Sequence, residues 1–316
     1  MSSIASLLGI QKGLLNTPAR ACIYGPSGVG KTTLASKCPS PLFMDVEKGS
    51  NHLDVERICP ESWSDVTFAV KALISEQHTF KTLVIDTADW LEKLLIVDLC
   101  STHNKESIEE FNYGKGYTLA AEAFLEFLKL LESLRAKGMH VVFTAHSQIR
   151  KFEQPDQSGS FDRFELKLSK QIAPLLKEWC DMMLFCTFET KVVEVDGKKR
   201  GIGGKERIIH TSHTAAWDAK NRHQFPEKLP FSFASIAKAF SSASAHHTET
   251  ENTNHLEVIL SLWEKLEYGQ EQMGKLFEWL GADSLKGTES WSDLSQEQQG
   301  KAVEFLKKKL MEKEAC

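Results

Sequence analysis

Several features that define other classes of protein are missing from this 316-residue sequence. No apolar run approaches the ~18 residues that a membrane-spanning helix needs, and the first residues lack the basic and apolar regions of a secretory signal. The seven cysteines never occur as Cys-x-x-Cys, which argues against a zinc or disulfide framework and favours buried free thiols in a reducing cytoplasm. Acidic residues outnumber basic ones by 43 to 38, a net charge of −5, which argues against a globally basic nucleic-acid coat protein. We therefore expect a cytoplasmic protein with no membrane partner.

A change in composition divides the chain at residues 241–255, which contain no large apolar residue and no periodic pattern. We predict that this segment is a flexible linker between a core at residues 1–240 and a C-terminal domain at residues 256–316. The C-terminal domain is predicted to be small and helical, with helices at 256–266, 273–280 and 296–310. Its tryptophans either form a small core or offer a docking surface to the core or to a partner such as a single-strand binding protein.

Strands and helices alternate along the core. Four nearly continuous apolar runs are typical of strands that are covered on both faces. They lie at 21–24, 41–44, 82–85 and 140–144. Helical stretches separate them, such as 120–137, where apolar residues recur with a helical period. This alternation predicts an α/β fold with a mostly parallel central sheet, and the β-rich segments 182–194 and 206–211 predict an antiparallel hairpin that extends it.

Residues 25–32, Gly-Pro-Ser-Gly-Val-Gly-Lys-Thr, fit the P-loop pattern G-x-x-x-x-G-K-[ST] at every fixed position. The motif follows a predicted strand and opens a predicted helix, a context that a chance glycine turn would not share. Its glycines let successive backbone N–H groups surround a phosphate, and the N-terminus of the helix adds positive potential. Lys31 can then reach the β- and γ-phosphates, while Thr32 offers its hydroxyl to Mg²⁺.

We therefore expect ATP and Mg²⁺ as cofactors. The expected nucleotide contacts are Gly25, Pro26, Ser27, Gly28, Val29, Gly30, Lys31, Thr32 and Thr33.

Two carboxylates that follow predicted strands are candidates for binding metal and for activating water. Asp86 ends the run 82–85 and is the expected second ligand of Mg²⁺, the alternative being an aspartate that caps the next turn. The next residue is Thr87, whereas ATPases of the AAA+ kind have their water-activating glutamate at that point. The base must then come from elsewhere, and Glu47, just beyond the run 41–44, would stand at the carboxyl edge of the sheet where ligands bind. The alternative for Glu47 is a helix-capping acid in a loop.

Three further residues complete the expected catalytic set. His146 follows the run 140–144, and we expect it to hydrogen-bond the γ-phosphate and report hydrolysis to the next loop, although a lone histidine is more often structural. Lys220 and Arg222 are two cations separated by one residue, and such residues point to the same side of an extended segment. Supplied across a subunit interface, they would act on the triphosphate of a neighbouring subunit, as an arginine finger does. A solvated basic loop is an equal alternative.

Together these segments resemble RecA-type recombinases. Residues 42–47 are similar to the strand and catalytic glutamate of that family, residues 83–86 to its Walker B strand, and residues 141–146 to its sensor strand, with histidine in place of the usual glutamine. Lys220-Asn-Arg222 is similar to the trans-acting Lys-x-Arg of hexameric replicative helicases. The overall resemblance, over roughly residues 15–240, is to phage-encoded ATP-binding proteins with a minimal RecA core, some of which anneal single strands in recombination. It implies a RecA-like P-loop NTPase core, ATP at the subunit interfaces of a homo-oligomer, and the host cytoplasm as location.

The resemblance also implies that two loops hold single-stranded DNA, and these correspond to residues 101–117 and 147–170. Cations and aromatic residues are interleaved in both, as suits a groove that follows the backbone and stacks on bases. They are Lys105, Tyr113, Lys115 and Tyr117 in the first loop, and Arg150, Lys151, Phe152, Phe161, Arg163, Phe164 and Lys167 in the second. Four acidic residues dilute the positive charge of the second loop.

The sequence therefore predicts an ATP-dependent protein of phage recombination that binds single-stranded DNA and promotes annealing or strand exchange, with hydrolysis stimulated by DNA. One alternative is a non-hydrolytic annealing module that uses ATP only for assembly. Others are a helicase or a helicase loader, favoured mainly by Lys220 and Arg222, and a small-molecule phosphotransferase, for which no acceptor pocket with an arginine-rich lid is evident.

Overall fold

The computed structural model describes residues 17–153, 159–195 and 198–240, single positions between 259 and 276, and residues 296–314. The chain divides into two compact units, Met1–Ala245 and His246–Cys316. The predicted linker at 241–255 and most of the predicted helix at 273–280 lie outside the described residues. Within the part of the chain that the structure describes, none of the helices combines the length and the apolarity that crossing a bilayer requires.

The first unit is built on a ten-stranded sheet. Its strands are β1 (Arg20–Gly25), β2 (Pro41–Asp45), β3 (Glu56–Ile58), β4 (Thr82–Asp86), β5 (His140–Glu153), β6 (Ser160–Leu166), β7 (Met182–Val195), β8 (Lys198–His210), β9 (Lys220–Asn221) and β10 (Lys228–Pro230). The order across the sheet is β10-β8-β7-β1-β5-β4-β2-β3, with β6 paired to β5 and β9 paired to β7.

The centre of this sheet is parallel. The pairs that link β7, β1, β5, β4, β2 and β3 all run in the same direction, whereas β8 is antiparallel to β7 and to β10. This arrangement confirms the predicted α/β class with a mostly parallel central sheet and an antiparallel extension. Residues 196 and 197, which lie between the two predicted β-rich segments, are outside the described residues.

The described helices are α1 (Lys31–Ala35), α2 (Trp63–Ser75), α3 (Ala88–Thr102), α4 (Lys115–Ala136), α5 (Ile172–Trp179) and α6 (Gln296–Glu314). Local sequence fixes where α2 begins, because Ser62 and Asp65 form a reciprocal capping box there. The helix predicted at 120–137 is α4, which begins five residues earlier and buries its apolar stripe, including Phe124, Leu128 and Leu131.

Helices cover both faces of the sheet, so the central strands are buried on both sides. Cys22 and Tyr24 of β1 face a core that α2, α3, α4 and α5 share, while Ala21 and Ile23 face a second core that includes Leu34 of α1. The period of two along a strand produces this alternation. Burial on both faces explains why the strands appear in the sequence as continuous apolar runs.

Two segments predicted as loops contain regular structure. Residues 147–153 continue β5 beyond the sheet edge and pair with β6, so much of the segment 147–170 is an antiparallel hairpin. The sequence analysis did not predict this hairpin because charged residues interrupt the apolar pattern of both strands, although each residue has a cross-strand partner. The segment 101–117 holds the end of α3, two short 3₁₀ turns and the start of α4. Cys59 is also exposed, although the sequence favoured burial of the thiols, whereas the other five described cysteines are buried.

The second unit has an apolar cluster of its own. The cluster comprises Ile259, Leu262, Leu266, Leu276, Ala302, Val303 and Leu306, the last three from α6. Trp263 packs against this cluster, whereas the other two tryptophans of the segment lie outside the described residues.

A matched pair of substitutions on α4 tests this assignment of the core. Leu131 is fully buried, whereas Leu125 on the same helix is 42% exposed. We predict that Leu131→Ala lowers the free energy of unfolding by about 3 kcal/mol or more, because it leaves a cavity. Leu125→Ala should change it by no more than about 0.5 kcal/mol. Equal shifts of the urea unfolding midpoint in the two variants would contradict the assignment.

Candidate nucleotide-binding site

The P-loop joins the end of β1 to the start of α1 at the carboxyl edge of the sheet. Two of its glycines are required by geometry. A Cβ on Gly25 would lie 2.1 Å from the carbonyl oxygen of Cys186 on β7, and Gly30 has a φ of +99°, which side chains disfavour. Any larger residue would therefore deform the loop at these two positions, as the motif implies.

The other predicted nucleotide contacts occupy the turn and the first helical residues. Lys31 is buried, and its Nζ donates to the carbonyl oxygens of Gly25 at 3.1 Å and Pro26 at 3.0 Å. Burial lowers the pKa of Lys31, while the nearby Asp86 carboxylate opposes that shift. Ser27, Gly28 and Thr33 are exposed, whereas the side chain of Val29 is buried in the core, so that this residue can offer a ligand only its backbone.

The two predicted metal ligands lie together. Asp86 ends β4 and is almost fully buried, and its carboxylate accepts hydrogen bonds from the hydroxyls of Thr144 on β5 and Thr32 on α1. Burial raises the pKa of Asp86, although both hydrogen bonds favour its ionised form. A hydroxyl and a carboxylate oxygen fit Mg²⁺, which takes oxygen ligands and usually binds through one or two carboxylates together with phosphates.

Glu47 lies in the loop that follows β2, and the backbone of this loop is tied to β4. The N–H groups of Val46 and Glu47 donate to the carbonyl oxygen of Asp86 at 2.8 and 3.1 Å. The carboxylate of Glu47 is about one-third exposed, and its partial burial raises its pKa above the ordinary value. The structure therefore brings the predicted base close to the predicted metal ligands.

Asp45 shapes this loop, and the sequence analysis did not identify it. Its fully buried carboxylate accepts hydrogen bonds from the backbone N–H groups of Gly49 at 3.0 Å and Ser50 at 2.9 Å, and from the Ser50 hydroxyl at 2.5 Å. Asp45 also stands opposite Asp86 in the pairing of β2 and β4. The only signal in the sequence was its position as a strand-end acid two residues before Glu47.

His146 lies between the P-loop strand and the loop of Glu47. It stands opposite Gly25 in the pairing of β1 and β5, and its Nε2 is 3.9 Å from Oε1 of Glu47. The other ring nitrogen, Nδ1, is 3.0 and 3.2 Å from the carboxylate oxygens of Asp89 on α3. The sequence analysis missed Asp89, and its presence in the first turn after Asp86 and Thr87 was the available signal.

Lys220 and Arg222 are not near the P-loop of their own chain. Lys220 Nζ donates to the carbonyl oxygens of Lys177 at 3.1 Å and Glu178 at 2.9 Å near the C-terminus of α5, and Arg222 pairs with Asp181 at 2.8 Å. Strand β9 joins β7 at Met182, which lies beside the start of β1, roughly 13 Å along the strand from its P-loop end. Both cations therefore have structural partners within the chain, and their action on a neighbouring subunit stays a prediction.

A further cation supports the P-loop from outside. Arg207 on β8 donates to the carbonyl oxygen of Val29 at 3.2 Å and lies over the ring of Phe231, 4.7 Å from its centroid. A Cβ on Gly30 would come within 2.6 Å of this guanidinium. The sequence analysis did not identify Arg207, because its contact with Val29 spans 178 residues of sequence and left no local signal.

Comparison with known proteins identifies two similarities. A family model described as AAA domain matches residues 17–223, well over half of the chain. The chain is also similar to the SPbeta prophage-derived uncharacterized protein YorG of Bacillus subtilis (strain 168), with 28% identity over 130 residues. That alignment covers 40% of this chain and 40% of the relative.

The geometry of the P-loop predicts that two lysine substitutions differ greatly in their effect on the affinity for ATP. Lys31→Ala should weaken binding of a fluorescent ATP analogue by about 10- to 100-fold, because a charged hydrogen bond contributes about 1.5–3 kcal/mol. Lys37→Ala, which removes an exposed lysine just after α1, should leave binding unchanged. Titration of each variant by fluorescence anisotropy measures both values, and equal affinities would contradict the assignment.

Proposed function

We propose that this chain, which belongs to the family described as AAA domain, is a P-loop ATPase that acts on single-stranded DNA in phage recombination. The single observation that carries this proposal is the course of β5. Its first half pairs with β1 and β4, and its second half extends beyond the ends of those strands and pairs with β6 in the β5–β6 hairpin. His146, at the transition, faces Glu47 in the candidate nucleotide site. One continuous strand therefore links that site to the candidate DNA surface.

In the proposed reaction, Lys31 and the backbone N–H groups of the P-loop bind the β- and γ-phosphates of ATP. Thr32 and Asp86 would hold Mg²⁺, which would offset the charge of the phosphates. Glu47 orients a water molecule, whose oxygen attacks the γ-phosphorus while Glu47 accepts its proton. The bond between the γ-phosphorus and the oxygen that bridges it to the β-phosphorus breaks, so that ADP leaves with that oxygen and phosphate is the second product.

The proposed DNA surface is the outer part of the β5–β6 hairpin. Lys151 is exposed there, and Ile149 is 60% exposed between Lys151 and the sheet. Lys167 is exposed just after β6, at the base of the hairpin, where its N–H donates to the carbonyl oxygen of His146 at 2.9 Å. The rings of Phe152 and Phe161 pair at 5.7 Å, where they are half-buried. Exposed cations beside apolar and aromatic side chains support binding of a flexible strand through its phosphates and bases.

Two predicted DNA contacts in this hairpin have other partners. Arg163 is buried and bonds to Asp218 at 2.6 Å, and Arg150 donates to the carbonyl oxygen of Leu168 at 3.0 Å. We therefore assign the phosphate contacts of the hairpin to Lys151 and Lys167.

The segment 101–117 offers a second exposed surface. The side chain of Tyr113 is fully exposed, and Lys105 and Lys115 are exposed as well, whereas the hydroxyl of Tyr117 bonds to Glu109 at 3.0 Å. We propose Tyr113 as a residue on which a base stacks, because aromatic rings bind bases without regard to sequence.

The proposal extends to the assembly. A RecA-like core would bind ATP between subunits of a homo-oligomer, and Lys220 and Arg222 would then approach the triphosphate of a neighbour after release of their present partners. The similar protein of Bacillus subtilis is prophage-derived, which supports a role in phage DNA metabolism. A single-strand binding protein is the proposed partner of the C-terminal domain.

ATP turnover without DNA, with single-stranded DNA and with duplex DNA tests the proposed function. We expect single strands to raise kcat more than duplex does, and Glu47→Gln to lower kcat by about 10²- to 10⁴-fold while ATP still binds. The control is Glu61→Gln, at a glutamate whose side chain is 79% exposed, and it should match the wild type.

Three results would point elsewhere. Turnover that does not respond to DNA would contradict the proposal. Normal annealing by Glu47→Gln would favour a non-hydrolytic module, and strand displacement on a forked substrate would favour a helicase.

The hairpin lysines give a separate prediction. Lys151→Ala combined with Lys167→Ala should weaken binding of single-stranded DNA and reduce the slope of log affinity against log salt by about 0.7 for each lysine that contacts a phosphate. Lys81→Ala, at an exposed lysine just before β4 and toward the other end of the sheet, is the control and should have no effect. An unchanged salt slope in the double variant would show that these hairpin lysines do not contact the DNA.

A further inference from the structure

Asp89 makes three contacts with one residue of the candidate site. Its carboxylate accepts a hydrogen bond from the backbone N–H of His146 at 3.0 Å, and both of its oxygens lie within 3.2 Å of Nδ1 of the same ring. The side chain of Asp89 is only 4% exposed. Both the backbone and the ring of His146 are thus fixed by one buried carboxylate on α3.

The chemistry of these contacts requires a hydrogen on Nδ1 of the imidazole. Hydrogen bonds from His146 hold the pKa of Asp89 below its ordinary value, although burial opposes this, so the carboxylate is ionised near neutral pH. An ionised carboxylate only accepts hydrogen bonds, and Nδ1 must therefore carry a hydrogen. In the neutral ring Nε2 is then an acceptor, and this nitrogen is the one that faces Glu47 at 3.9 Å.

We propose that Asp89 is a positioning residue for ATP hydrolysis, which fixes His146 in the Nδ1–H form with Nε2 directed at Glu47 and the reacting water. The inference rests on the proposed function, since it concerns the same site. In this arrangement Nε2 of His146 accepts a hydrogen from the water that Glu47 orients, so that two acceptors hold the nucleophile. Nε2 then has no hydrogen to donate to the γ-phosphate, which is the contact that the sequence analysis expected. A partner that fixes the tautomer of a histidine is a recurrent feature of catalytic sites.

Asp89→Asn separates this role from mere packing. The asparagine has the same size, and its oxygen can still accept the backbone N–H of His146. Its NH2 group takes the place of the oxygen that lies 3.0 Å from Nδ1 and can only donate there, which favours the ring with its hydrogen on Nε2. We expect kcat to fall by about 10- to 100-fold. The KM for ATP should stay within about twofold of the wild type, because Asp89 does not contribute to the P-loop.

A second buried carboxylate on the same helix provides a matched control. Glu92 is 7% exposed, and its carboxylate accepts a hydrogen bond from the backbone N–H of Ser169 at 3.1 Å, away from His146. Glu92→Gln removes a buried charge from α3 in the same way and should leave kcat unchanged. A double-mutant cycle completes the test: in the His146→Gln background, which has no tautomer to fix, Asp89→Asn should lower kcat by less than about twofold.

The tautomer can be observed without turnover. Long-range ¹H–¹⁵N NMR of the histidine rings, with the His146 signal identified by its loss in His146→Gln, should show the Nδ1–H form in the wild type and the Nε2–H form in Asp89→Asn. An Nε2–H signal in the wild type, or an equal loss of kcat in Glu92→Gln, would overturn the inference. A wild type that keeps the Nδ1–H form but hydrolyses no ATP would contradict the proposed function and the role of Asp89 in hydrolysis, and would leave only the tautomer assignment standing.

Discussion

The site depends on placing four carboxylates at one edge of a parallel sheet, beside the buried Lys31. Asp45, Asp86 and Asp89 are almost fully buried, and Glu47 is partly so. Buried like charges are unfavourable unless hydrogen-bond donors offset them. Each of the three buried acids has such donors, which come from loop N–H groups, threonine hydroxyls or a histidine, and these bonds fix the geometry of the edge. The need to pair these buried carboxylates with hydrogen-bond donors therefore determines the local structure of the site.

Strand order explains why these groups meet. Strand β5 lies between β1, which leads into the P-loop, and β4, which ends in Asp86. Thr144 and His146 of β5 consequently project between the phosphate-binding turn and the acids. The same strand then leaves the sheet and forms the β5–β6 hairpin. A change at the γ-phosphate that moves His146 would be transmitted along the backbone of β5 to the proposed DNA surface, because the strand is continuous.

Local features of the sequence were enough to predict the parallel core and the P-loop. Each of the apolar runs corresponds to a strand, because a strand that is buried on both faces needs apolar residues at nearly every position. These runs are 21–24, 41–44, 82–85 and 140–144. Contacts between residues that are far apart in the sequence could not be predicted from local patterns. Asp89 reaches His146 across 57 residues and Arg207 reaches Val29 across 178, and neither residue belongs to a motif. The β5–β6 hairpin was missed for a related reason, because its strands are stabilised by pairing with each other rather than by an apolar pattern.

A crystal structure with Mg²⁺ and a non-hydrolysable ATP analogue tests the central claim most directly. The account predicts the β- and γ-phosphates within the turn 25–30, with Mg²⁺ bound by the Thr32 hydroxyl and next to Asp86. It also predicts that the Glu47 carboxylate and Nε2 of His146 both point to the side of the γ-phosphorus opposite its bridging oxygen. A nucleotide bound elsewhere, or a Glu47 carboxylate turned away from the γ-phosphate, would contradict it.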